Sequence, residues 1–412
     1  MSYTQRKIFT VRIGGGNMVV RLLIPDIYAV GAHDFDRRLF DALIPLPHGT
    51  SYNAYVIKGS EKTVLIDTVD PTKEFDLVCN LVRLGISAID YIVVNHAEQD
   101  HSGSLPMMLE IFPNAKAVTN EKCKDILKKH FDINDDRFLV IKDRDTLSLG
   151  NKTLEFILAP WVHWPETMFT YLREDHILFS CDLFGSHYAT SGLFVRDFNV
   201  VVYPMAKRYY AEIMMPFRSS IKVHLEKIGG LQIDYIAPSH GPVYDKPSLI
   251  IDAYQDWISD TVKNEVVIPY VSMHGSTQKM VDYFTGALID REIAVKPFNM
   301  TVTDTGDLAM AIVDAATIVL ATPTVLFGPH PLVLYATYLT NVLRPKTRFA
   351  SIVCSFGWGG KAPDMLQSML THIKPELFEP VIVQGAPDEE AFRALDALAD
   401  TIANRHKGIG IL

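Results

Sequence analysis

The sequence predicts an α/β chain in two parts: a layered sheet sandwich with helices outside over 1–260, then a doubly wound parallel sheet over 261–412. Three observations carry this. Short apolar runs come first and then alternate with amphipathic stretches, the pattern of sheets covered by helices. Beyond residue 261, five β-type runs alternate with helical ones over about 150 residues. Residues with metal-ligand chemistry also fall repeatedly just past the end of an apolar run, where loops held by rigid elements place functional groups.

At 412 residues the chain is long for one core. Its 48% hydrophobic and 21% charged content is that of a globular protein. A net charge of −9 and no dense basic patch argue against a nucleic-acid partner. Cys79, Cys123, Cys181 and Cys354 form no C-x-x-C pair, so no rubredoxin-type iron site or iron–sulfur cluster is expected. Scattered cysteines fit a reducing cytosol. The first residues lack an apolar signal core. The most apolar long window, 310–327, contains Asp314 and Pro323 and reads as a helix end plus a buried strand, not a membrane span. A soluble cytoplasmic protein is the expectation.

In order, 18–31 reads as two strands around Pro25 and Asp26. Runs 52–57 and 63–67 bracket a turn and predict a hairpin. Asp67 ends the second run, a place for either an acid behind a metal ligand or an exposed strand-end acid. Residues 73–84 carry Phe75, Val78, Leu81 and Leu84 at helical spacing. Helix 103–112, strand 115–119, helix 121–130 and strands 138–141 and 154–159 follow. His130, in a Lys-rich last turn, is a dipole partner. Residues 199–228 are mostly helical, with a packing stripe through Tyr210, Ile213, Met214, Phe217, Ile221 and Leu225. Pro216 predicts a break there, and His224 reads as a helix surface residue. Helix 249–260 gives way to strand 265–271, which places the boundary near 261–264.

The run 91–94 leads straight into His96, Glu98, Asp100 and His101, four ligand types in six positions on a predicted loop. Imidazole suits zinc, iron, copper and nickel, and carboxylate shifts preference toward harder ions. His163, Asp182 and His240 each repeat the arrangement of apolar strand, ligand type, then a Gly or Pro turn. His187, five residues past Asp182, is a candidate pocket residue.

In the second part, Val271 leads into Ser272, Met273, His274, Gly275, Ser276 and Thr277, followed by an apparent helix over 278–284. Backbone N–H groups at such a helix start, with hydroxyls beside them, make an anion site. No Walker lysine and no G-x-G-x-x-G is present, which argues against a nucleoside triphosphate or a dinucleotide. A small phosphate-bearing cofactor such as FMN fits. Further strands at 293–298, 316–321, 348–355 and 380–384 complete a flavodoxin-like pattern, whose ligands sit at strand carboxyl ends. Two such ends are distinctive: Thr322, Pro323, Thr324 and Val325, and Ser355, Phe356, Gly357, Trp358, Gly359 and Gly360. The glycines let backbone approach a flat ring, with Phe356 or Trp358 beside it.

The H-x-E-x-D-H spacing resembles the H-x-H-x-D-H loop of the metallo-β-lactamase superfamily, with Glu98 where a hydrolase usually carries His. Together with W-V-H-W-P-E, C-D-L-F-G and S-H-G-P, it makes the chain resemble the flavodiiron proteins (A-type flavoproteins) over roughly residues 18–405. The resemblance implies a metallo-β-lactamase-like αββα sandwich followed by a flavodoxin-like domain. It implies two iron ions per chain, one held by His96, Glu98 and His163, the other by Asp100, His101 and His240, with Asp182 bridging, and FMN in the loops above. The extra anionic oxygen of Glu98 suits irons that cycle between +2 and +3. The implied activity is reduction of O₂ to water and/or of NO to N₂O. The implied donor is rubredoxin, the usual partner where no donor domain is fused (none follows Leu412), or a reduced deazaflavin. The implied assembly is a head-to-tail homodimer or a tetramer built from it. Some members place a His near the iron pocket in the region of 43–49, which makes His48 a candidate. A zinc hydrolase with an accessory flavodoxin-like domain stays open as the alternative, and so does a flavin-only electron carrier.

Overall fold

The structure, a computed structural model, describes residues 20–359 and 361–412. Met18, Val19 and Gly360 of the expected elements lie outside them. The chain divides into two compact units, one comprising the chain to Tyr210 with Phe217–Gln255, the other Ala211–Pro216 with Asp256–Leu412.

The first unit holds two sheets. One runs in the order β1 (Arg21–Ile24), β2 (Ile27–Ala29), β3 (Tyr55–Lys58), β4 (Thr63–Ile66), β5 (Tyr91–Val93), β6 (Lys116–Asn120), β7 (Phe138–Ile141). Pairing is antiparallel through β4 and parallel from β4 to β7. The other runs β8 (Thr146–Ser148), β9 (Thr153–Leu158), β10 (Met168–Leu172), β11 (Ile177–Cys181), β12 (Tyr235–Pro238), with only the last pair parallel. The period-2 pleat assigns the faces. Tyr55, Ile57, Val64, Ile66 and Val93 meet Phe156, Met168, Leu172, Ile177 and Phe179 between the sheets. Val56, Leu65, Ile92 and Ala117 point the other way, onto Leu77, Leu81, Met108 and Leu127 of helices Glu74–Arg83, Leu105–Ile111 and Glu121–His130. Helix Arg218–Ile228 reaches the far side of the second sheet through the Phe169–His224 ring contact. The unit is therefore an αββα sandwich.

Three local expectations are corrected. Phe75 is 62% exposed. Helix Glu74–Arg83 is turned instead by buried Asn80, whose amide donates to the carbonyls of Val30 and Gly31 at 2.9 and 3.0 Å. Part of the ligand loop is a helical turn, Gln99–Ser102, so Asp100 and His101 project from helical backbone. His224 is buried rather than on the helix surface, and its Nε2 lies 2.9 Å from the carbonyl of Pro160. The break expected at Pro216 falls in a short 3-10 turn, Met215–Phe217.

The second unit is a parallel sheet in the order β14, β13, β15, β16, β17, where β13 is Lys263–Tyr270, β14 Ala294–Asn299, β15 Ala315–Val325, β16 Phe349–Phe356 and β17 Val381–Gln384. The short strand Glu376–Leu377 pairs beside the start of β16, so the edge strand is broken in two. This is the flavodoxin-like strand order, with its switch point between β13 and β15. β15 runs longer than expected because Thr324 and Val325 pair antiparallel with Gly328–Pro329. Among the described residues no helix is long and apolar enough to cross a membrane.

Candidate metal centre

The strand ends β5, β9, β11 and β12 are followed by His96, His163, Asp182 and His240. The seven sequence-predicted ligand candidates gather in two groups: His96, Glu98, His163 and Asp182, and Asp100, His101 and His240. Ligand atoms within each group lie within 4.8 Å of one another. Asp182 touches both. Its Oδ2 is 3.6 Å from His96 Nε2 and 3.4 Å from His163 Nε2, and its Oδ1 is 3.1 Å from His101 Nε2 and 3.4 Å from His240 Nε2. Glu98 Oε2 closes the first group at 3.0 Å from His96 Nε2 and 3.2 Å from His163 Nε2. Asp100 closes the second, with Oδ2 3.2 Å from His240 Nε2.

Behind the cup two of the imidazoles, His96 and His240, are held by their other nitrogens. Buried Glu166 accepts from His96 Nδ1 at 2.7 Å and from the Ala97 N–H at 3.1 Å. The Ser51 carbonyl accepts from His240 Nδ1 at 2.7 Å. Asp67, buried at the end of β4, accepts from the backbone N–H and side-chain amide of Asn95 at 2.7 and 2.8 Å, and Thr170 donates to Asn95 Oδ1 at 2.7 Å. With Nδ1 held from behind, His96 and His240 each present Nε2 to the centre, the nitrogen a metal would take.

The charges are large for a buried site. Burial opposes charge on His163 and His240, yet the carboxylates outweigh it. Asp182 and Glu98 hold His163 up at about 9, and Asp100 and Asp182 hold His240 up at about 10. Asp182 is fully buried, and the surrounding imidazoles, His101 first, hold its carboxyl well below the usual range. Both oxygens of Asp100 and of Asp182 are buried without a hydrogen bond. Three carboxylates aimed inward among four imidazoles, with orphaned oxygens, fit two divalent ions. Cys181 also approaches His101 and Asp182, but burial pushes its thiol up and keeps it neutral.

His187 is buried at the rim, 2.9 Å from Thr50 Oγ1 through Nδ1, with its ring 4.9 Å from those of His240, Tyr209 and Phe40. Burial, then neighbouring His240, keeps it neutral. His48 is exposed, pairs with Tyr188 at 6.3 Å and joins neither group. Glu166, Ser51 and Tyr209 were missed by sequence reasoning. Glu166 had a signal, an acid in W-V-H-W-P-E within an apolar stretch, whereas Tyr209 stands next to a packing stripe and carries no signal of its own.

In the second unit, Ser272 Oγ accepts from the N–H groups of Gly275 and Gln278 at 3.2 and 3.1 Å, shaping the loop into helix Ser276–Ile289. Gly275 has φ +87°, a conformation that favours glycine. Thr277 Oγ1, in the first turn of the helix after β13, and Ser355 Oγ, near the end of β16, meet at 2.9 Å. Met273 and His274 are exposed on the first of these loops. The Thr322 hydroxyl accepts from the His330 N–H at 2.9 Å and braces the segment of Pro323, Thr324 and Val325. Phe356 is half-buried and Gly357 and Gly359 are open, while Trp358, 67% exposed, lies edge-on to Phe327 at 4.8 Å.

Residues 50–241 match the family described as "ODP family beta lactamase". The chain is 37% identical over 388 residues to the nitric oxide reductase of Moorella thermoacetica, which covers 92% of this chain and 97% of that relative. Among solved structures it is similar to the rubredoxin oxygen:oxidoreductase of Desulfovibrio gigas, with TM-score 0.90 and 30% identity over 95% of this chain and 99% of that one. It is also similar to the flavodiiron protein of Giardia intestinalis, with TM-score 0.88 and 28% identity over 96% and 98%.

Proposed function

The chain belongs to the flavodiiron protein family of oxidoreductases, and from that premise we propose that it reduces O₂ to water and/or NO to N₂O. The observation that carries this reading is Asp182, whose two oxygens face opposite ligand groups, the arrangement a bridging carboxylate requires. Two irons bound there would supply a redox pair with an open coordination position, and FMN at the second unit's strand ends would supply their electrons.

The rest is the work of this chain's residues. His96, Glu98 and His163 would hold one ion; Asp100, His101 and His240 would hold the other. Glu166 and the Ser51 carbonyl fix the orientation of His96 and His240. His187, held neutral, and Tyr209 form a largely water-excluding rim for a small uncharged gas. Thr277 and Ser355 tie the start of the helix after β13 to the end of β16, and the loops beside them would hold FMN.

We assign metal chemistry to 1–260 and flavin chemistry to 261–412. Joining them between copies calls for a head-to-tail homodimer or a tetramer made from two. The donor we propose is rubredoxin, in keeping with the Desulfovibrio relative's name, with a reduced deazaflavin as the competing donor. Four buried free cysteines accord with a cytoplasmic location. The test is iron, zinc and flavin analysis of the purified protein, with gas consumption followed under each donor. Iron, FMN and reductase turnover support the proposal; zinc with hydrolase turnover overturns it.

A further inference from the structure

The two ligand groups of the metal centre differ in exposure. In the first, the side chains of Glu98 and His163 are 16% and 15% exposed. In the second, those of Asp100, His101 and His240 are at most 4% exposed. Among the described residues, four rings from outside the ligand set surround His240. His187 lies at 4.9 Å, Tyr209 at 5.8 Å, Tyr52 at 6.0 Å and Phe40 at 6.4 Å. His187 is held by Thr50, Tyr209 ends helix Tyr203–Tyr209, and Tyr52 follows the Ser51 carbonyl that holds His240.

Phe40 arrives differently. It sits on a ribbon, Leu39–Phe40 paired antiparallel with Ile44–Pro45, that joins neither large sheet of the unit. The turn of that ribbon holds Asp41 and Ala42 at φ 49° and 54°, a left-handed conformation that costs a residue with a Cβ. The Phe40 ring is buried, 4.9 Å from that of His187 and in one apolar cluster with Leu46 and Tyr52. Charged side chains fasten the ribbon at its root. Arg37 Nη1 is 3.6 Å from Asp70 Oδ2, and Lys73 Nζ is 3.4 Å from Asp34 Oδ2. The Arg37 guanidinium also lies 5.8 Å over the Phe40 ring. Partly exposed pairs of this kind hold weakly, so the ribbon can be released without disturbing the two sheets.

We propose that Phe40 is a specificity-determining residue, a roof over the second ion that lets it take a diatomic gas and refuse a longer ligand. The first ion stays open at its Glu98 and His163 edge. This role builds on the reading of the centre as an ion pair that takes O₂ or NO. A steric clash built against the larger competitor gives selectivity without any added contact to the smaller ligand. An aromatic ring suits the task, being broad, stiff and unable to act as a ligand itself.

The probe is azide, a linear triatomic anion, added to the full chain with FMN and oxidised iron bound; fluoride is the small comparison. Azide bound per ion pair is counted from its charge-transfer absorption. The wild type is expected to bind one azide where Phe40→Ala binds two, with affinity for the second raised about tenfold or more in the variant. Fluoride affinity is expected to change by less than about twofold. Wild-type crystals soaked in azide are expected to show it only on the side of His96, Glu98 and His163. Arg37→Gln combined with Lys73→Gln keeps the ring and cuts its fastening. This double variant changes only partly exposed side chains, serves if Phe40→Ala fails to fold, and is expected to take the second azide as well. Azide at the second ion of the wild type overturns the proposal. So does a single azide in folded Phe40→Ala or, where that does not fold, in the double variant. An equal gain for fluoride and azide also overturns it. Iron content and gas turnover are measured on the same samples, so a failed roof with both intact leaves the redox reading standing.

Discussion

Glu166 Oε1 sits 2.7 Å from His96 Nδ1, with both side chains fully buried. A carboxylate behind a ligand imidazole fixes its tautomer and raises its basicity. Glu166→Gln keeps the shape and removes the charge. Iron affinity, measured by chelator competition, is expected to fall about 10- to 100-fold. Wild-type retention of iron in this variant would mean that the contact is only structural.

Asp182→Asn tests the bridge. The amide nitrogen cannot serve as a ligand, so one ion group loses its share of the side chain. Iron bound per chain is expected to drop by at least half, while flavin content stays at the wild-type level. Equal loss of iron and flavin would point to misfolding instead.

The sandwich and the doubly wound sheet were both legible in the sequence because each is written in apolar periodicity and punctuated by Gly and Pro. The seven ligand candidates were legible for a related reason: His and acids directly after β-type runs stand out against their neighbours. Glu166 and Ser51 were not. One acts through a hydrogen bond across separated segments and the other through a backbone carbonyl, which has no residue-type signature. Phe75 misled because its spacing matched a buried stripe, whereas the helix rotation is set by Asn80 and its two carbonyl partners. His224 misled in the opposite sense, since its burial depends on the carbonyl of Pro160, 64 residues away in sequence.

The contact between Thr277 and Ser355 predicts a flavin effect. Thr277→Val removes the hydroxyl and leaves buried Ser355 without this partner. FMN affinity, followed by flavin fluorescence on dilution, is expected to weaken about tenfold. Iron content should not change. An unchanged FMN affinity would separate this contact from the flavin site.

His406 predicts a pH effect on the second unit. It is fully buried, with Nε2 2.8 Å from Thr317 Oγ1 and Nδ1 2.7 Å from Asn264 Oδ1, and burial lowers it to about 4. An unfolded His titrates near 6.5, so between about 6.5 and 4 the unfolded chain binds a proton that the folded chain refuses. Its contribution is complete above 6.5 and declines as pH falls, by at most on the order of 1.4 kcal/mol per pH unit. Thermal unfolding from pH 7.5 to 5 should therefore fall more steeply for the wild type than for His406→Gln. Parallel curves would show that His406 is protonated in the fold.

The central claim is tested most directly by a single turnover. The protein is reduced without air until flavin and iron are both reduced, then mixed with NO or O₂, beside Asp182→Asn and iron-stripped protein. The wild type is expected to form N₂O or water in proportion to its iron pairs, with neither control doing so beyond the flavin's own slow reaction. Equal gas consumption by the iron-stripped chain would contradict the account.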